Sequence, residues 1–197
     1  ECTEVKKTNG LFVLTIDGEP VLAKSVIVAT GSERRRLGIP GEDLEGVSYC
    51  ATCDGVLYNG KNLIVIGGGN SAVQESFFLL KYAKSVTIVN RSPLRCSEVL
   101  KKRLKNEPRI TVLENTPPLE FVGQNGKVTG LKVSLTGETK ELKTDGCFVF
   151  VGMAPATRFL PKNILAEDGF VLTDTKFETS ISGLFAAGDC RSGNAKQ

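Results

Sequence analysis

The stretch that most restricts this sequence is residues 63–72, where Leu63-Ile64-Val65-Ile66 runs into Gly67-Gly68-Gly69-Asn70-Ser71-Ala72. A short continuous apolar run bounded by glycines predicts a parallel strand buried on both faces. Ala72, Val73, Phe77 and Leu80 then recur near helical spacing. They predict a helix over 70–82, with Asn70 or Ser71 at its N-cap. Residues 85–89 return as a second strand. Strand, glycine turn, helix and strand in this order make a βαβ unit, which commits the chain to a parallel sheet.

The remaining segments fit around that unit. Ser97-Glu98 opens a second helix that ends by Pro108, and 110–113 reads as a third parallel strand. Runs at 119–122, 128–135 and 140–142 predict an antiparallel meander over one face of the sheet, with Asn125-Gly126 as a hairpin turn. Residues 147–151 re-enter the sheet. Upstream, 10–29 reads as hairpin strands, with 11–16 alternating, Asp17-Gly18 turning and 21–29 forming one or two further strands. Downstream, strands are expected at 170–172 and 184–187, the latter closing on Gly188-Asp189. Arg34-Arg35-Arg36 with Gly38-Ile39-Pro40-Gly41, and then 152–155, read as linkers. The fold class expected is α/β, a three-layer β/β/α Rossmann-like arrangement.

A chain of 197 residues allows one or two domains. A net charge of +3 gives no argument for nucleic acid or membrane. No apolar run is long enough to span a bilayer and no signal-peptide pattern opens the sequence, so a soluble cytoplasmic protein is expected. Residue 1 is Glu, and the hairpins at 10–29 begin without the βαβ unit they would normally follow; an internal piece of a longer polypeptide is expected. The chain has no histidine. That removes the Ser-His and Cys-His mechanisms and leaves proton transfer to a carboxylate, thiol, tyrosine or lysine.

The glycine turn fits G-x-G-x-x-A. Gly67 allows the tight turn, Gly69 lets the backbone approach a pyrophosphate, and Ala72 permits close helix–sheet packing. Asn70 and Ser71 begin the helix whose N-terminal N–H groups face the phosphates. At the end of the second strand an NAD site carries an acidic residue. This chain has Asn90-Arg91-Ser92-Pro93-Leu94-Arg95 instead. Arg91 and Arg95 without a carboxylate favour a 2′-phosphate, hence NADPH over NADH, against the alternative of a solvated basic loop.

Of the six cysteines, only Cys50 and Cys53 have catalytic spacing; Cys2, Cys96, Cys147 and Cys190 read as small buried hydrophobes. Cysteines at i and i+3 can approach closely enough for an S–S bond, and the spacing tends to lower one thiol pKa. Half of a zinc site is the main alternative, but no histidine and no second CxxC supply the other ligands, so no metal is expected. Asp54 is the nearest group to exchange a proton with a leaving thiolate, and otherwise a surface turn residue. A nicotinamide gives a hydride while a disulfide takes electrons at sulfur, so a flavin is expected between them. No second G-x-G-x-x-G is present in the sequence.

These motifs together resemble the low-molecular-weight thioredoxin reductases. Cys50-Ala51-Thr52-Cys53-Asp54 matches the family's active-site pentapeptide, Gly67 to Ala72 its NADPH turn, and Arg91 and Arg95 two of its phosphate-binding arginines. Ala29-Thr30-Gly31 resembles a segment that touches FAD, and Gly188-Asp189 the contact to the FAD ribitol. The resemblance implies an FAD domain interrupted by an inserted NADPH domain: residues 1–37 and 152–197 in the first, 38–151 in the second. It further implies FAD and NADPH as cofactors, thioredoxin or a thioredoxin-like protein as partner, and a homodimer when full length. It also implies a domain rotation hinged at the two linkers. The sequence departs from the family's histidine-arginine-arginine run at Asn90-Arg91-Ser92, which is one residue shorter before Arg95. A flavoprotein serving a peroxiredoxin system, one fed by ferredoxin, or a non-catalytic nucleotide-binding module are the alternative readings.

Overall fold

A computed structural model of the chain describes residues 1–193. It separates into two compact units, one holding Glu1–Glu33 with the residues from Met153 onward, the other Arg34–Gly152. Among the described residues no helix is long and apolar enough to cross a membrane.

The first unit begins with a three-stranded antiparallel sheet of β1 (Cys2–Thr8), β2 (Leu11–Ile16) and β3 (Glu19–Ala23). Asp17 and Gly18, at φ 51° and 87°, supply the two left-handed positions that a two-residue hairpin needs. The expected run at 21–29 is divided: β3 ends at Ala23, and β4 (Val26–Val28) belongs to another sheet. β5 (Ser32–Arg34) follows. β1 was not foreseen, because its charged and polar residues carry almost no apolar signal; only Val5 of this strand is buried.

The second unit carries β6 (Val47–Ser48), the short helix α1 (Ala51–Asp54), β7 (Asn62–Ile66), α2 (Asn70–Leu79), β8 (Ser85–Val89), α3 (Glu98–Lys105) and β9 (Ile110–Leu113). Next come β10 (Pro118–Gln124), β11 (Lys127–Leu135), β12 (Glu138–Lys143) and β13 (Gly146–Val149). Five strands form a parallel sheet in the order β6-β13-β7-β8-β9, and β10-β11-β12 form the antiparallel meander. Side chains alternate across β7. Leu63 and Val65 pack with α2 residues Ala72, Val73 and Leu79, while Ile64 and Ile66 pack with Phe121, Leu131 and Val133 of the meander. Two apolar coverings explain why the strand is apolar at every position rather than at every second one. The layers are therefore meander, parallel sheet and helices. Asn125 and Gly126, at φ 52° and 78°, close the hairpin between β10 and β11.

Back in the first unit, β14 (Met153–Pro155) pairs with β5, so the stretches read as linkers carry a small two-stranded sheet. β15 (Leu184–Ala186) lies parallel to β4, with Leu184 opposite Val26 and Ala186 opposite Val28. The strand expected at 170–172 does not form. Val171 makes isolated bridges to Leu165 and Arg191 instead, because its neighbours are loop segments rather than a sheet edge.

Candidate functional site

The parallel sheet reverses direction of growth at β7: β8 and β9 are added on one side and β13 on the other. The crevice at the carboxyl ends of two such strands is where open α/β sheets bind ligands. The glycine turn stands there. Gly67 donates its amide to Val89 O at 3.0 Å, while Phe150 donates to Ile66 O at 2.8 Å. Gly67 has φ 139°, and a Cβ on it would lie 2.2 Å from the Phe150 carbonyl oxygen and 3.1 Å from the Ala72 Cβ. A Cβ on Gly69 would meet nothing within 4 Å. One glycine is thus required by the protein's own packing, while the other leaves open space in front of a helix end.

Gly69, rather than Asn70 or Ser71, is the N-cap of α2, with no side-chain cap. The Asn70 carboxamide is engaged elsewhere, its Oδ1 accepting the Ser97 amide at 2.8 Å and so fixing the start of α3. Ser71 is exposed on the first turn and Ala72 is buried against Gly67. The uncapped N-terminus of α2 fits a pyrophosphate.

Asn90 is buried, and its Nδ2 donates to Ser92 O at 2.5 Å and Pro93 O at 3.3 Å. A Cβ on Gly68 would fall 2.1 Å from that same Nδ2. Asn90 therefore sits beneath the glycine turn and shapes the loop that follows it. The loop is also held by Arg95 N, which donates to Gly68 O at 2.7 Å, and by Leu94 N, which donates to Glu114 Oε1 at 2.6 Å. Arg91 and Arg95 are exposed, and among the described residues neither side chain makes an ion pair. Two unpaired guanidinium groups on a loop tied to the turn suit a ribose phosphate.

The dithiol lies in the same unit. Cys50 and Cys53 form a disulfide, with 5.3 Å between their Cα atoms. Cys50 caps α1 with its own sulfur: the Cys53 amide donates to Cys50 Sγ at 3.2 Å. Thr52 Oγ1 lies 3.4 Å from the same sulfur, which has no proton in the disulfide, so the hydroxyl donates. Cys53 is exposed and Cys50 half-buried. Asp54 closes the helix, and its Oδ2 accepts from Ser48 Oγ at 2.6 Å.

Two residues here escaped the sequence reading. Ser48 has no motif around it. Glu42 is buried, accepting from the Leu37 amide at 2.6 Å, the Gly38 amide at 2.8 Å and the Tyr49 hydroxyl, with Arg36 Nε 3.6 Å away. Burial favours its neutral form, but these donors and the Arg36 charge outweigh that and hold the carboxyl below its usual range. Burial and the Glu42 carboxylate in turn push the Tyr49 hydroxyl well above the usual phenol range. A cavity of about 430 Å³ beside Arg36, Glu42 and Tyr49 contains none of the predicted site residues.

In the first unit, Ala29-Thr30-Gly31 and Ala187-Gly188-Asp189 leave the carboxyl ends of the adjacent parallel strands β4 and β15. Gly31 and Gly188 have φ 72° and 73°, and a Cβ on either would meet nothing within 4 Å. Thr30 Oγ1 donates to Ala156 O at 2.6 Å, and the buried Cys190 Sγ donates to Ala187 O at 3.2 Å. Two open glycine turns at neighbouring strand ends fit part of a flavin nucleotide cradle.

The model of the pyridine nucleotide-disulphide oxidoreductase family matches residues 1–197. The chain is 42% identical over 203 residues to a thioredoxin reductase of Treponema pallidum, covering 100% of this chain and 66% of that protein. It is 41% identical over 182 residues to a thioredoxin reductase of Bacillus subtilis, covering 89% and 58%. Among solved structures, Lactococcus lactis thioredoxin reductase in its FR conformation aligns with a TM-score of 0.83 at 35% identity, covering 100% of this chain and 67% of that one. Thioredoxin reductase of T. acidophilum aligns at 0.81 and 39%, with the same coverage. The chain thus spans 58% to 66% of the length of these curated relatives.

Proposed function

Since this chain belongs to the pyridine nucleotide-disulphide oxidoreductase family, we propose that it is the larger part of a thioredoxin-disulfide reductase. Membership implies a flavin and a pyridine nucleotide; the finer reading is FAD and NADPH. When bound, the flavin supplies the two-electron chemistry that lets hydride equivalents from the nicotinamide arrive as an electron pair at sulfur. Arg91 and Arg95 hold the 2′-phosphate, Gly67 and Gly69 admit the pyrophosphate, and Asn70, Ser71 and Ala72 form the helix start that faces it. Asn90 shapes the loop from below. Ala29, Thr30, Gly31, Gly188 and Asp189 hold part of the FAD.

Residues 38–151 are then the NADPH domain, and 1–37 with 152–197 portions of the FAD domain. The two compact units divide at neighbouring positions, between Glu33 and Arg34 and between Gly152 and Met153. A cytoplasmic location and a homodimer of the full-length protein belong with this reading.

Once reduced, one sulfur of the pair attacks the partner's disulfide, forms a mixed disulfide and expels a partner thiolate. The second sulfur then attacks the mixed disulfide. This releases the partner as a dithiol and restores the Cys50–Cys53 bond. Asp54, at the end of α1, hands a proton to the departing thiolate and takes one from the attacking thiol.

The observation that carries the reading is a Cys50–Cys53 disulfide in the same compact unit as an open glycine turn and two unpaired arginines. The names of the curated relatives favour thioredoxin over a peroxiredoxin system as substrate. Anaerobic NADPH titration of the flavin-loaded holoenzyme tests it, with flavin absorbance and free thiols followed together. Bleaching of the flavin with two new thiols, at Cys50 and Cys53, is expected. Bleaching without new thiols would remove the dithiol from the electron path.

A further inference from the structure

Ser48 ends β6, the edge strand of the parallel sheet, where it stands opposite Phe148 of β13. Its backbone is therefore held by the sheet, and the residue is only 7% exposed. The hydroxyl has one proton and two acceptor positions. It accepts the Cys50 amide at 3.0 Å and donates to Asp54 Oδ2 at 2.6 Å. The Cys50 carbonyl is also within 3.4 Å, but a single proton follows the shorter, charge-assisted contact to the carboxylate. One buried hydroxyl thus joins the sheet to the backbone of the first redox cysteine and to the carboxylate that ends the CxxC helix. Helix geometry alone does not provide this link, since the Asp54 amide bonds to the Cys50 carbonyl at 3.2 Å while leaving the carboxylate free to rotate.

We propose that Ser48 is a positioning residue for the dithiol chemistry, fixing the rotamer of the Asp54 carboxylate relative to Cys50. The inference rests on the acid-base role given to Asp54 above. Ser48 acts through Asp54, to which its hydroxyl is bonded. In the holoenzyme, S48A is expected to lower the turnover of a protein disulfide roughly tenfold, the size of one lost charge-assisted hydrogen bond. The rate at which NADPH bleaches the flavin should stay at the wild-type value.

S48T keeps the hydroxyl and S48V keeps nearly the same shape without it, so this pair separates hydroxyl from packing even where S48A folds poorly. S48T should turn over within about twofold of wild type, and S48V should match the S48A loss. The decisive measurement is non-additivity: S48A/D54N should be no slower than D54N alone, because Ser48 has nothing to orient once the carboxylate is gone. If S48A and D54N multiply, or if S48V is as fast as S48T, Ser48 is merely structural and the proposal is overturned. If D54N itself turns over at the wild-type rate, the role of Asp54 fails and that of Ser48 with it. If D54N is slow while S48A is not, only the role of Ser48 fails.

Discussion

The Arg95 amide donates to the Gly68 carbonyl at 2.7 Å, so the loop bearing the two unpaired arginines is bonded directly to the glycine turn. Asn90 supports both from beneath. The helix end proposed to meet a pyrophosphate and the charges proposed to meet a ribose phosphate therefore share one frame. Their spacing is set before any ligand arrives, which lowers the ordering cost of binding.

Removing both charges should separate the two nicotinamide nucleotides. R91A/R95A is expected to weaken NADPH binding on the order of 100-fold, at about 1.5 kcal/mol for each charged contact. NADH binding should hardly change. Equilibrium titration with each nucleotide checks this, and equal losses for both would show that the arginines do not read the 2′-phosphate.

The glycines of the turn should fail in different ways. G67A places a Cβ 2.2 Å from the Phe150 carbonyl oxygen at φ 139°, and should cost about 3 kcal/mol or more in stability. G69A meets nothing within 4 Å and has φ −89°, which alanine adopts freely. It should keep the wild-type melting temperature while losing nucleotide affinity. Thermal melts beside binding titrations decide the matter.

Glu42 should make stability sensitive to acid. Its folded pKa is depressed, so its contribution is complete above the ordinary carboxylate value of 4.5 and fades as pH falls through the lower folded value. Denaturant unfolding of E42Q should therefore show a flatter loss of stability below that point than wild type. E42A, which strands the Leu37 and Gly38 amides, should lose about 2 kcal/mol at neutral pH.

Sequence made the central unit legible because its signals are local. Apolar continuity in β7, glycine spacing after it and Asn125-Gly126 in the meander each depend on neighbours along the chain. The roles of Asn90, Ser48 and Glu42 do not. Asn90 reads by position as part of the nucleotide site, and the structure sets its carboxamide under Gly68, just past the preceding strand end. Ser48 becomes informative only when α1 folds back to place Asp54 against it. The strand expected at 170–172 had apolar residues but no sheet edge to join, and edges are tertiary facts. Ser97 was foreseen as the opening of the second helix because capping is local; its Oγ accepts the Leu100 amide at 3.4 Å.

Two buried thiols of the second unit, Cys96 and Cys147, should be chemically quiet. Burial pushes Cys147 up to about 12 and raises Cys96 as well. After reduction, alkylation of the native protein at pH 8 should label Cys50 and Cys53 rapidly, and Cys147 and Cys96 only after unfolding. Peptide mass mapping reads the outcome; early labelling of Cys147 would mean that its part of the core opens readily.

The cap on α1 bears on endurance. The Cys53 amide rests on the Cys50 sulfur. Opening the S–S bond removes neither partner of that contact, and a thiolate accepts an amide hydrogen more strongly than a disulfide sulfur does. Under the proposed function, bonded and open states share a single local scaffold, so each round of electron delivery need not rebuild the turn. Such a scaffold suits a bond opened and closed many times better than a crosslink set once and left shut.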